Sequence, residues 1–540
     1  MSQRVIPSGS SSQSHAPPEP QHEPSATDND QGLKRTHTFW SLMAYQTTIL
    51  CSWSCNIVLY YYVFTLGGPA SFLWGTAAVA IGQLLVMTSL AEYCALWPSA
   101  GGQQFYTQMV APEKYRFFLS YAVGWCIVVG EVSVAAGCAL NSAEIVSTFV
   151  QITHPEVTWK PYMTFLLYCG FLILPFTTGV FAGSKYQPVL QKVGAAFNLG
   201  SFLIWAIVFL VMAPKTTAKF VFTKFINTTG WSNDPWVFVL SFYTPLYGLY
   251  GTDAVMHLAE EMKNPSRDGP RVMIWSMVWA GVSAWVSAVI MCFTVGPDWK
   301  PRLEYLSSYL SWFMDVTGSV YGGGVFCAII MMGLNYLIIV NQSTASARII
   351  WKMAKEHAFP GSKYLAPIDP RFNIPIRALI AFFVINVFIG LLEIGSDLAF
   401  YAILSGGGVA LQVSYLIPIA CVMFRGRDRL LPPGRKTLNL GNFWGYTINA
   451  ASLLWSTLVV ILYVFPQYLP VVNDLANMNW AIAILGAVFI FAAISWVTTA
   501  QKHYMRSKAP LIIDSQVPGT VDSSPEAGYV KAWSAVTEGK

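Results

Sequence analysis

Long apolar stretches separated by short charged or Pro- and Gly-containing breaks dominate the chain. A helix needs about 20 mostly apolar residues to cross roughly 30 Å of hydrocarbon. Twelve stretches qualify, at approximately 39–64, 71–96, 117–148, 161–181, 188–213, 236–259, 272–296, 317–345, 375–392, 398–424, 443–466 and 479–500. Span six contains Gly248-Leu249-Tyr250-Gly251-Thr252-Asp253, two glycines and a polar pair from which an intact lipid-facing helix gains nothing. A break there is expected. Span one contains Ser52-Trp53-Ser54-Cys55-Asn56, which reads either as a second break or as polar glue between packed helices. Two interrupted spans five apart suggest an inverted repeat. The expected fold is all-α and polytopic: a low-complexity tail over 1–36, a ten-helix core over 37–424, helices 11 and 12 with their preceding loop over 425–505, and a second tail over 506–540.

Composition strengthens this reading. The 540 residues are 54% hydrophobic and 11% charged, against about 25% charged in soluble domains, which excludes a soluble multidomain enzyme. The net charge of +5 takes its meaning from the membrane and gives no support to nucleic-acid binding. With the N-terminus in the cytoplasm, the outer loops hold only Lys160, Lys215, Lys219, Lys224, Lys300 and Arg302 of the 32 Lys and Arg. That bias puts both termini on the cytoplasmic side of a multi-pass protein, with the plasma membrane the expected location. The sequon Asn227-Thr228-Thr229 falls in an outer loop, where a glycan is expected. The N-terminus lacks the apolar stretch of a cleavable signal. All nine Cys lie in or beside spans, and the i, i+4 pair Cys51 and Cys55 offers too few ligands for a metal site. No P-loop pattern is present, and the His residues beyond the N-terminal region are too scattered for a metal centre. Neither a primary pump nor a membrane enzyme is expected, and no residue is assigned as catalytic.

An ionisable group inside a span costs about 2.5 to 3.5 kcal/mol, so each asks for a partner or a function. Asp253 and His257 share a face of span six at i, i+4, either bonding each other or acting in transport. Glu131 lies in mid span three, either packed against a donor or available for ion coupling. Tyr243, Tyr247 and Tyr250 recur on one helical face and with Trp53 form either an aromatic wall for an ammonium group or ordinary packing. Glu92, Glu260 and Glu261 lie near the inner ends with Arg267, Arg271 and Arg348, as a gate network including His257 or as weak solvated pairs.

Several strings carry a resemblance. Gly67-Gly68-Pro69 precedes Ala91-Glu92-Tyr93-Cys94-Ala95-Leu96-Trp97-Pro98-Ser99-Ala100-Gly101-Gly102-Gln103; span six continues as Gly251-Thr252-Asp253-Ala254-Val255-Met256-His257-Leu258-Ala259-Glu260-Glu261; and Ala345-Ser346-Ala347-Arg348 leads to Trp351 and Ala358-Phe359-Pro360. Together these resemble the amino acid/polyamine/organocation transporter superfamily, in particular its fungal GABA and choline permease branch. The resemblance implies alternating access around a solute held between broken spans one and six. The backbone and side chains of Ser52, Trp53, Ser54, Cys55 and Asn56 would meet a carboxylate or similar group, and Tyr247, Tyr250, Gly251, Thr252 and Asp253 the other end and the amine. The chain departs from the superfamily in having no Gly between Gln46 and Gly67, which disfavours tight capture of a carboxylate and favours amines or choline-like cations. The resemblance also implies a coupling residue in span five, a Lys in some relatives, for which Lys192, near the inner end, and Asn198, nearer the equivalent height, are the candidates here. The expected function is uptake of a small amine-bearing solute, an amino acid or GABA, with choline or a polyamine as the alternative and a non-transporting nutrient sensor as the rival of another class. The expected partners are that solute and the lipid bilayer, with no cofactor beyond a proton or sodium gradient. The sequence sets no oligomeric state.

Overall fold

The computed structural model describes residues 33–430, 437–472 and 475–504. It is predominantly helical: α1 (Phe39–Leu50), α2 (Ser52–Val58), α3 (Tyr60–Thr65), α4 (Gly68–Leu96), α5 (Gln103–Val110), α6 (Arg116–Thr153), α7 (Pro161–Met212), α8 (Ala218–Thr223), α9 (Asp234–Leu240), α10 (Tyr243–Tyr247), a 3-10 segment Ala254–Glu261, α11 (Pro265–Thr294), α12 (Ser308–Thr317), α13 (Val320–Lys355), α14 (Ser362–Leu365), α15 (Ile376–Gly395), α16 (Asp397–Arg425), α17 (Asn442–Leu462) and α18 (Ala481–Ser495). Among the described residues, nine helices are long and apolar enough to cross a membrane. Their outward surfaces are apolar as well. Phe181, Val189, Ile207 and Val211 of α7 and Ile490 and Ile494 of α18 are exposed, a pattern that suits lipid and would be unfavourable in water. The chain is a multi-pass membrane protein.

Local chemistry sets the ends. Gly67 takes a left-handed φ of 95° and Pro69 sits in the first turn of α4, where its fixed φ suits helix initiation and its missing N–H costs nothing. Trp97-Pro98 closes that helix. Within α7, Gly183 leaves helical geometry at φ 49° and ψ −167°, between the two stretches that the hydropathy pattern separates. The short helices α5 and α12, and an antiparallel pairing of Leu66–Gly67 with Ile226–Asn227, were not legible as spans because each is far shorter than a crossing.

The expected tails fall largely outside the described residues, but the end of the first is docked. Leu33 is buried, and the backbone of His37 pairs with Glu261 and Lys263 beside the 3-10 segment. The sequon is also engaged. Asn227 Nδ2 donates to the Trp231 carbonyl at 2.8 Å and to Asp234 Oδ1 at 3.0 Å, so a glycan on this nitrogen would disrupt both bonds.

At the Lys- and Arg-rich end of the bundle, Glu92 of α4 accepts two hydrogen bonds from Arg427 Nη2, at 2.8 and 2.7 Å, with both side chains buried. Removing one partner of a buried pair strands the other charge and costs about 3 to 5 kcal/mol. Glu92→Ala is therefore expected to lower the thermal midpoint of the purified protein well below that of the wild type. Arg267→Ala, at an exposed position, should leave it in place; equal midpoints for both variants would contradict the pairing.

Candidate functional site

The first interruption lies between α1 and α2. Cys51 adopts φ 35° and ψ 40°, a left-handed conformation that costs a residue with a Cβ roughly 1 to 2 kcal/mol. Thus the chain breaks here without a glycine, and side chains hold the strained turn. Ser54 Oγ donates to the Cys51 carbonyl at 2.9 Å. Asn198 of α7 donates through Nδ2 to the Thr47 carbonyl at 3.0 Å, while its Oδ1 accepts from Trp53 Nε1 at 2.7 Å and from Cys51 Sγ at 3.4 Å. Asn198, a coupling candidate in the sequence, sits where it braces the first break.

The second interruption runs from Gly248 to Asp253, between α10 and the 3-10 segment, with Gly251 left-handed at φ 79°. Its backbone is satisfied from α1. Gln46 Nε2 donates to the Gly251 carbonyl at 2.8 Å, and Gln46 Oε1 accepts from the Val255 N–H at 2.8 Å. One amide side chain thereby replaces two missing helical bonds, which matters because an unpaired buried backbone group costs about 1 to 3 kcal/mol. Gln46 was not singled out from the sequence, although a Gln inside an apolar span was a readable signal. The two breaks touch, since Ser52 Oγ donates to the Gly248 carbonyl at 2.6 Å. A Cβ on Gly248 would stand 2.9 Å from Cys55 Cβ, so contact between the interruptions requires glycine.

The other candidates divide by what they already bind. Asn56 Nδ2 donates to the Ala284 carbonyl and to Ser287 Oγ of α11. Trp53 is buried against Phe202 and Trp205, with ring centroids at 5.3 and 5.6 Å, so it faces α7 and does not join a wall with the tyrosines. The tyrosines themselves share no continuous helical face, because the helix ends at Tyr247. Tyr243 packs on Tyr463 at 4.9 Å, and Tyr250 is buried beside Gly408. Tyr247 keeps 37% of its surface exposed while its hydroxyl lies against Gly137 of α6, so the ring reaches toward α6 from the turn that leads into the second break. Cys55 is half-buried, and Thr252 is buried. Asp253, expected to face an amine, has both oxygens occupied: Oδ1 accepts from Tyr415 and Oδ2 from Gln103, each at 2.6 Å.

A second layer lies at the basic end. Arg348 Nε donates to Glu261 Oε1 at 2.7 Å with both side chains buried, and Lys352 pairs with Glu260 at 3.0 Å. Arg267 and Arg271, expected in the same network, are exposed and form no ion pair among the described residues. Arg427 and Lys352 take the corresponding roles and were not anticipated, because hydropathy reading cannot choose between basic residues in adjacent loops. Lys192 is exposed on α7, away from any coupling role at the breaks. Just beyond α13, Gln104 and Tyr504 share a hydrogen-bonded cluster with Glu356, whose carboxyl is pushed above its ordinary value by burial, opposed by the Lys352 ammonium and the Gln104 hydrogen bond.

The sequence model of the amino acid permease family matches residues 38–490, so the chain belongs to that family, whose members are membrane transporters and not enzymes. Among its relatives, the choline transporter of Saccharomyces cerevisiae is 26% identical over 484 residues, covering 89% of this chain and 84% of the relative. Amino-acid permease 2 of Neurospora crassa is 26% identical over 477 residues, covering 87% and 86%. The swainsonine transporter of Arthroderma benhamiae is 29% identical over 449 residues, covering 81% and 86%.

Gln46→Leu removes both bonds to the second break while substituting an apolar side chain of similar size. Uptake is expected to fall at least about tenfold at unchanged surface level, a loss equivalent to roughly 1.4 kcal/mol. Lys192→Ala should transport normally. Full uptake by Gln46→Leu would mean that the break needs no brace.

Proposed function

We propose that this permease is a secondary active transporter that carries a small amine-bearing solute into the cell by alternating access. The observation that carries the reading is the contact of two interrupted segments beside a partly exposed aromatic ring: Ser52 bonded to Gly248, with Tyr247 the residue just before that glycine. At that point α1 ends at Leu50, and the partial negative charge of a helix C-terminus attracts a cation. The Tyr247 ring adds an attraction of about 0.5 to 2 kcal/mol for an ammonium group in a desolvated setting. An amino acid or GABA is the first substrate class, and choline is the second; the relatives named for choline and amino-acid transport support both.

The proposal includes twelve crossings, with spans one to five and six to ten as inverted repeats. Gly183 divides α7 into two lengths that each suffice for a crossing, and the two interrupted segments supply the remaining pair beyond the other long helices. Support for the repeat comes from packing. The second spans of the two proposed repeats, α4 and α11, pack on each other, and so do the third, α6 and α13, as elements near a pseudo-two-fold axis would. The uneven distribution of Lys and Arg favours cytoplasmic termini, and uptake is the task expected of a plasma-membrane protein.

The test is radiolabelled uptake into transporter-deficient cells, comparing GABA, choline and a panel of amino acids with and without a protonophore. Saturable, protonophore-sensitive accumulation of one solute supports the reading, whereas saturable surface binding with no accumulation contradicts it. Tyr247→Leu should raise KM about tenfold for cationic solutes, a loss of roughly 1.4 kcal/mol, and far less for neutral ones. An equal rise for all solutes would assign Tyr247 to packing.

A further inference from the structure

Glu131 of α6 and Asp253 and His257 beyond the second break are all fully buried, and a carboxylate oxygen from each acid and a ring nitrogen of His257 lie within 4.8 Å of one another. Their hydrogen bonds determine which atoms remain available. His257 Nδ1 lies 2.8 Å from the Ala100 carbonyl, which only accepts, so Nδ1 carries a hydrogen and the ring presents Nε2 to the cluster. Asp253 takes donors from Tyr415 and Gln103, and Glu131 Oε2 takes donors from Gln342 and, at 3.5 Å, Ser346. Two atoms have no hydrogen-bond partner: His257 Nε2, which stands 3.7 Å from Asp253 Oδ2, and Glu131 Oε1.

The charges do not balance with those bonds alone. Two ionised carboxylates beside a neutral imidazole place two negative charges in a buried space, and no Lys or Arg side chain bonds to them among the described residues. The titratable and charged groups that face the cluster are already engaged. Tyr45 of α1 donates to the Asn341 carbonyl, Tyr106 of α5 to Met256 Sδ, and Tyr415 of α16 to Asp253 itself, while Arg348 of α13 pairs with Glu261 of the 3-10 segment. A buried site of this kind requires a positive charge. The available atoms suit a proton better than a hard metal cation, because one is an imidazole nitrogen and the carboxylates are already faced by amide and hydroxyl donors.

We propose that Glu131, His257 and Asp253 form an exchangeable proton site that couples transport to a proton gradient. This rests on the transporter reading above and specifies its driving ion. The proton is shared between Glu131 and the His257 ring beside the Asp253 carboxylate, and it enters and leaves without any bond being made to the solute. The site joins two parts of the structure with different mechanical roles. Glu131 belongs to an uninterrupted helix, whereas Asp253 and His257 belong to the segment whose far end carries Glu260 and Glu261, paired with Lys352 and Arg348 of α13. Loading the proton ties that segment to α6, and releasing it leaves carboxylates that repel, so occupancy biases the segment between two positions.

Infrared difference spectroscopy during a pH titration of the purified full chain in lipid nanodiscs tests the site without any solute. The wild type should show the carbonyl band of a buried carboxylic acid that titrates, Glu131→Gln should lack it, and His257→Gln should shift its midpoint by at least about one pH unit. The same band in Glu131→Gln, or one unmoved in His257→Gln, overturns the proposal. So does a stoichiometric divalent metal retained by the wild type and lost from Glu131→Gln in elemental analysis, or stabilisation of the wild type by sodium that Glu131→Gln abolishes. In vesicles, Glu131→Gln should let the radiolabelled panel solute that the wild type accumulates only equilibrate, with no proton entry reported by a trapped pH dye. Retained proton-driven accumulation by that variant also overturns the site. If the wild type moves no panel solute, the transporter reading fails, and the infrared band alone decides whether the proton site exists.

Discussion

The structure depends on the two hydrogen bonds from Gln46 to the interrupted segment, one to the Gly251 carbonyl and one from the Val255 N–H. Inside a membrane protein, backbone that leaves helical geometry must find partners within the protein, since lipid offers none. Gln46 supplies both kinds of partner from a single side chain, and Asn198 serves the first interruption by bonding the Thr47 carbonyl and positioning Trp53. With these two amides in place, the chain keeps two non-helical turns in contact at its centre.

The rest of the molecule grades outward from those turns. On one side, Tyr247 at the end of α10 leaves an aromatic ring partly exposed beside the breaks. On the other, the 3-10 segment runs from Asp253 and His257 to Glu260 and Glu261, so groups near the centre and groups in the basic layer share one short piece of chain. The buried pairs Arg348 with Glu261 and Arg427 with Glu92 lock that layer, and neither pair tolerates the loss of one member without stranding a charge. In the proposed transport cycle, a movement of the segment would have to exchange its own ion pairs, Glu261 with Arg348 and Glu260 with Lys352.

Much of this was legible in the sequence where the signal was local. The Gly248 to Asp253 interruption followed from two glycines and a polar pair within an apolar stretch, and most span positions followed from hydropathy alone. What escaped was partner choice across the bundle. Trp53 and the tyrosines shared a plausible wall until the fold placed Trp53 against α7, and Arg267 and Arg271 shared a charge layer in which Arg427 and Lys352 make the contacts. Cys51 shows a further limit. Left-handed geometry at a residue with a Cβ is imposed by Asn198 and Ser54, and no local rule would choose it. Gln46 was missed for the same reason: its role is defined by a backbone about two hundred residues away.

The most direct measurement is a cryo-electron-microscopy structure of the full chain in lipid nanodiscs with the solute it accumulates. Solute density bounded by Ser52 to Cys55 and Tyr247 to Gly251, with the Gln46 amide bridging Gly251 and Val255, is the predicted result. Continuous helices through both segments, or solute bound away from them, would contradict the account.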